Sequence, residues 1–153
     1  MAGTVAIGIQ QFNEIRKKGY FYIDKTAFIR EWWEKGDSVT LITRPRRFGK
    51  TLTMSMVEQF FSVKYAGQQN LFEGLAIWKT KAYREIQGTY PVISLSFANL
   101  KEPSYELTRQ KVCDQLQQLY TEHAYIWESG ILKGADKSFF ERMLHNEKVE
   151  YVD

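Results

Sequence analysis

Apolar positions along this chain recur alternately at helical and at strand spacing. Gln11 to Lys18 predicts a short helix, with Phe12 and Ile15 on one face and Gly19 as its stop. Tyr20 to Asp24 is aromatic and β-branched and predicts a brief extended piece. Thr26 to Lys35 predicts a helix burying Phe28, Ile29, Trp32 and Trp33 and ending at Gly36. Ser38 to Thr43 (SVTLIT) is the best strand of the first half. After a turn, Lys50 to about Lys64 predicts a helix with Leu52, Met56 and Phe60 in one stripe. Residues 65–80 predict a loop with one helical turn at Asn70 to Glu73. Pro91 to Phe97 (PVISLSF) is a second strand, with Pro91 at its entry. Ser104 to Tyr125 predicts a long helix with Val112, Leu116, Leu119 and Tyr120 on its apolar side. Ser138-Phe139-Phe140-Glu141 reads as a capping box opening a last helix. Strands alternating with helices predict an α/β fold with parallel strands.

Composition adds bounds. The chain has 153 residues, 44% hydrophobic and 25% charged, as in ordinary globular proteins. Without repeats, low-complexity tracts or a linker, residues 1–153 are expected to form a single domain. No apolar run approaches the roughly 18 residues of a membrane span, and the N-terminus lacks the basic region of a secretory signal. A single cysteine, Cys113, excludes an internal disulfide. With only His123 and His145 beside it, a closed structural zinc site is excluded too. The expected compartment is the cytoplasm.

Charge is more informative by position than in total. Residues 1–75 carry 11 basic and 7 acidic side chains, and residues 76–153 carry 10 and 11. Arg44, Arg46, Arg47 and Lys50 fall close together, with no acid between Asp37 and Glu58. Such a knot in a nearly neutral chain reads as an anion site, or as a solvated basic loop.

The chemistry lies in Arg44-Pro45-Arg46-Arg47-Phe48-Gly49-Lys50-Thr51. Gly49-Lys50-Thr51 matches the end of the phosphate-binding loop G-x-x-x-x-G-K-[ST]. There the glycine admits a phosphate to the backbone, the lysine reaches the β- and γ-phosphates, and the Thr51 hydroxyl is a Mg²⁺ ligand. Amides opening the following helix point at the anion. Arg44 stands where the motif has its first glycine, and Pro45 removes one N–H. A basic helix start without a ligand is the competing reading.

The string Thr43 to Leu52 resembles the altered phosphate loop of the bacterial AAA-ATPase-like family, in which arginine-proline-arginine-arginine replaces the leading glycine. Ile7-Gly8-Ile9 with Phe12, Tyr20 to Thr26, Met54-Ser55-Met56, Phe60-Phe61, Asn70 to Leu75 and Tyr90 to Ile93 are similar to further strings of that family. The resemblance implies an α/β P-loop NTPase domain of AAA/STAND-like type, a parallel sheet flanked by helices. It implies ATP and Mg²⁺ as ligands, with phosphates held by Arg44, Arg46, Arg47, Phe48, Gly49, Lys50, Thr51 and Leu52. Family members often carry a nuclease-like PD-(D/E)xK domain downstream.

The chain departs from that pattern in lacking a legible Walker B strand, an apolar strand ending in an acid. PVISLSF ends in Ala98-Asn99, and Val149 to Asp153 is interrupted by Glu150. The expectation is therefore the N-terminal portion of an ATPase domain, an incomplete sheet, and no hydrolysis by this chain alone. Two strands leave sheet edges open, so exposed apolar surface, self-association or a downstream domain is expected. Asp24-Lys25-Thr26 has two readings: lining the nucleotide site, or capping the helix that follows. Trp32 and Trp33 read as core or partner surface. The alternatives to a nucleotide site are nucleic-acid binding by the same loop, with Phe48 or Tyr22 stacking on a base, and a scaffold that binds nothing.

Overall fold

Three helices of the first half form where the apolar spacing places them. In the computed structural model, which describes residues 4, 8–98 and 100–145, these are α1 (Phe12–Lys17), α2 (Ala27–Lys35) and α3 (Lys50–Phe61). Gly36 ends α2 in the left-handed conformation, as a C-terminal glycine does. Short 3₁₀ turns follow at Val63–Tyr65, Gln69–Leu71 and Ala76–Lys79, then α4 (Lys81–Ile86). The second half holds α5 (Tyr105–Glu122), α6 (Ala124–Glu128) and α7 (Gly134–Leu144). Ile7 and the Val149 to Asp153 string lie outside the described residues.

The expected parallel sheet is absent among the described residues. Their β-type pairing is an isolated parallel bridge between Ser62 and Tyr90. Neither strand candidate finds a ladder. Val39 and Leu41 in SVTLIT are 85% and 83% exposed, and Ile93 and Phe97 in PVISLSF are 74% and 62% exposed. A β-branched run becomes a strand by packing on a half-buried surface beside a partner, and here that surface is missing. The α/β reading is thus corrected: the described structure is helices, turns and irregular segments.

The chain divides into two compact units, Met1–Val92 and Ile93–Asp153. In the first, an aromatic core joins Phe12, Ile29, Met56, Phe60, Phe61, Leu71, Phe72, Leu75, Ile77 and Tyr83. Phe72 stacks on Phe12 at 5.1 Å and meets Phe60 edge-on at the same distance. Trp33 stacks on Phe61, and Trp32 meets it edge-on while its ring N–H donates to Thr40 Oγ1 at 2.9 Å. Polar groups then lock the helices. Ser55 Oγ accepts from the Phe12 amide at 3.1 Å, fastening α1 to α3, and from Gln59 Nε2 of its own helix at 2.9 Å. Arg16 donates to the carbonyls of Leu71 and Glu73, both at 2.7 Å. Buried donors and acceptors that find partners in this way avoid a desolvation cost.

In the second unit, Ser104 caps α5 by accepting the Leu107 amide at 3.2 Å. Tyr120 packs edge-on against Phe140 of α7 at 4.8 Å, beside buried Met143. The Ser138 capping box is not formed. Helix α7 starts a turn earlier, and the Ser138 hydroxyl donates to the Gly134 carbonyl from inside the helix. Among the described residues no helix is long and apolar enough to cross a membrane.

Candidate functional site

The basic loop enters α3 through two left-handed residues, Arg47 at φ 69° and Gly49 at φ 75°. Glycine takes that conformation freely, whereas a side chain there costs about 1–2 kcal/mol. Arg47 therefore holds local strain, a feature concentrated at functional sites. Gly49 is the N-terminal boundary residue of α3, so no side chain caps the helix, and its first turn holds no acid. The first helical bond runs from the Thr53 amide to the Gly49 carbonyl at 2.8 Å. The amides of Lys50, Thr51 and Leu52 precede that bond and have no intrahelical acceptor. The positive end of α3 is thereby left to whatever anion approaches it.

Arg44, Arg46, Arg47, Phe48 and Thr51 are exposed around this helix start, and Lys50 is half-buried. The Lys50 ammonium donates back to the Arg44 carbonyl. Ion pairs such as Lys18–Glu14, Lys81–Glu85 and Lys111–Glu102 lie elsewhere, and no carboxylate among the described residues pairs with the loop. Leu52 differs from its neighbours in the loop string. Its side chain packs on the aromatic core, leaving only its amide to face the helix start.

The Asp24-Lys25-Thr26 segment divides between two tasks. Asp24 Oδ1 accepts from the Thr26 amide at 2.8 Å and from the Thr26 hydroxyl at 2.6 Å. Asp24 Oδ2 accepts from the Ala76 amide at 2.7 Å, and Thr26 Oγ1 accepts from the Ile77 amide at 3.1 Å. Thr26 is fully buried. Thr26 stands at the N-terminal boundary of α2, yet its side chain makes no capping bond to the first turn. These two side chains clip the start of α2 to the 76–77 turn instead. Burial alone would raise the Asp24 carboxyl. The bonds from the Thr26 hydroxyl and from the Ala76 and Thr26 amides outweigh burial and hold it below its ordinary value. Lys25, between them, points the other way and donates to the Phe48 carbonyl at 3.5 Å.

Tyr22 is not a free stacking platform. Its ring lies edge-on to Phe12 at 5.3 Å, its hydroxyl donates to Met56 Sδ at 3.2 Å, and burial pushes the phenol up to about 12. Phe48, at 58% exposed, is free to stack. Sequence reasoning missed the Ala76 and Ile77 partners of the clip. They lie about 50 residues downstream and act through backbone amides, which carry no signal in residue type.

The donor set fits a polyphosphate: uncapped amides, the Lys50 ammonium held on a neutral carbonyl, and an exposed Thr51 hydroxyl that could give one ligand to its Mg²⁺. A sequence model of the AAA-ATPase-like family, described as "Predicted AAA-ATPase", matches residues 6–151. The chain is also 37% identical over 97 residues to a protein of Azotobacter chroococcum mcd 1 described as an uncharacterized protein in the vnfD 5' region. That match covers 60% of this chain and 16% of the relative. No solved structure matches the chain. The loop string and the match along residues 6–151 agree, and the chain belongs to the AAA-ATPase-like family of predicted AAA-ATPases.

Proposed function

We propose that this chain binds ATP through the loop from Arg44 to Leu52. The carrying observation is the uncapped start of α3, whose first turn holds no acid and whose Lys50 ammonium rests on the Arg44 carbonyl with no carboxylate partner among the described residues. Lys50 would exchange its bond to the Arg44 carbonyl for one to a phosphate oxygen. A charged acceptor roughly doubles the strength of such a bond. The Thr51 hydroxyl would hold Mg²⁺, which supplies charge neutralisation of the phosphates. Arg46 and Arg47, both exposed, would contact phosphates of the same nucleotide or of a neighbouring molecule's.

Equilibrium dialysis of labelled ATP, with and without Mg²⁺, tests this reading. Saturable, Mg²⁺-dependent binding that Lys50→Ala reduces at least tenfold is expected. Equal binding by the variant would refute it. A second reading, single-stranded nucleic-acid binding, draws on exposed Phe48 beside Arg44, Arg46 and Arg47. It is favoured instead if the chain retains an oligonucleotide whose affinity falls steeply between 50 and 200 mM salt, on the order of the counterion-release slope. Binding of neither ligand would leave the scaffold reading.

A further inference from the structure

Lys25 is the one residue of its segment that takes no part in the clip to residues 76–77. Its backbone is nevertheless fixed by that clip, since Asp24 and Thr26 on either side are bound to Ala76 and Ile77. Its own amide donates to the Tyr22 hydroxyl at 3.4 Å. From this anchored backbone the side chain reaches the loop. The ammonium donates to the Phe48 carbonyl, and a Cβ built on Gly49 would lie 3.1 Å from it. The bare Cα of Gly49 therefore leaves the space beside this ammonium as well as a left-handed turn. Among the described residues Lys25 makes no ion pair. Its acceptor is a neutral carbonyl, the same kind of partner that Lys50 has in Arg44. Two ammonium groups from separate segments thus face one helix start, each held by a partner weaker than an anionic oxygen.

We propose that Lys25 is a second phosphate-binding cation of this loop, supplied by the turn before α2 from outside the loop string. This rests on the reading of the loop as a polyphosphate site. In it, Lys25 releases the Phe48 carbonyl and pairs with the polyphosphate of a nucleoside triphosphate. That arrangement makes up in part for the first glycine and the Pro45 N–H that the loop lacks, by adding charge where backbone donors are missing. It also gives the clip a purpose at the site, because Asp24 and Thr26 fix the backbone from which Lys25 reaches the loop.

The test compares wild type, Lys25→Met and Lys25→Arg for binding of Mg-ATP and of inorganic tripolyphosphate, with a thermal melt of each. Lys25→Met is expected to weaken both ligands about tenfold with an unchanged melt, since the side chain is only half-buried and its acceptor among the described residues is a carbonyl. Lys25→Arg is expected to recover most of the affinity. Equal penalties for the two ligands would place the contact on phosphate and not on base or ribose. Undiminished binding by Lys25→Met, while Lys50→Ala loses it, would overturn this inference and leave the loop reading standing. A loss that Lys25→Arg does not recover, accompanied by a lowered melt, would also overturn it in favour of a structural role. Failure of wild type to bind either ligand would remove the loop reading and this inference together.

Discussion

Replacing Asp24 with alanine removes the acceptor of three hydrogen bonds: from the Thr26 amide, the Thr26 hydroxyl and the Ala76 amide. A sheltered hydrogen bond to a charged group contributes about 1.5–3 kcal/mol. Asp24 itself is exposed, so water replaces part of what its oxygens accept, and each bond contributes nearer the about 1 kcal/mol of an ordinary hydrogen bond. Thr26 is fully buried, and its hydroxyl would keep the Ile77 amide as donor but lose its acceptor. The expected loss is about 2–4 kcal/mol at neutral pH. Urea unfolding measures it, and hydrogen exchange at the Ala76 and Ile77 amides locates it, with protection falling at both. The sign with pH follows from the direction of the Asp24 shift. Its carboxyl lies below the ordinary value of 3.8 in the folded chain, so the unfolded chain binds the proton more readily. The contribution is complete above that ordinary value and is lost as pH falls through the folded one. The gap between wild type and Asp24→Ala should stay constant from neutral pH to about pH 5 and close below about pH 4. A neutral-pH loss under about 0.5 kcal/mol, or a gap that widens in acid, would refute the clip.

Three further outcomes follow from packing. Phe72→Ala empties a site shared with Phe12, Phe60 and Trp78 and should cost about 3–5 kcal/mol in a urea melt. Gly88→Ala should cost about 2 kcal/mol or more in the same assay, because the backbone is left-handed at φ 71° and the new Cβ would lie 2.7 Å from the Ala66 Cα. Leu41→Asp should change the melt by no more than about 0.5 kcal/mol, since that side chain is 83% exposed. A large loss at Leu41 would mean that the SVTLIT run is covered after all.

Helices were legible where a stripe and a stop coincide. Phe28, Ile29 and Trp32 followed by Gly36 define α2 almost to the residue, and Leu52, Met56 and Phe60 define α3. Strands were misread because β-branched composition reports a preference for a pleated surface. Whether such a surface exists depends on a distant partner, which SVTLIT and PVISLSF do not find in this structure. The last helix was misplaced because Ser138 and Glu141 have the spacing of a capping box, while the chain had already begun to coil at Gly134. At the loop, Gly49, Lys50 and Thr51 were readable from type and order. The strain at Arg47 was not, because a left-handed arginine has no signature in composition. The division of Asp24-Lys25-Thr26 between clip and loop was equally hidden, since it depends on the amides of Ala76 and Ile77.

The central claim is that phosphates sit on the start of α3. Amide chemical shifts of ¹⁵N-labelled protein, followed during titration with Mg-ATP, test it at the residues concerned. Saturating shifts at Gly49, Lys50, Thr51 and Leu52, with core amides such as Phe72 unmoved and the response abolished in Lys50→Ala, are predicted. Shifts confined to other segments, or none at millimolar Mg-ATP, would contradict the account.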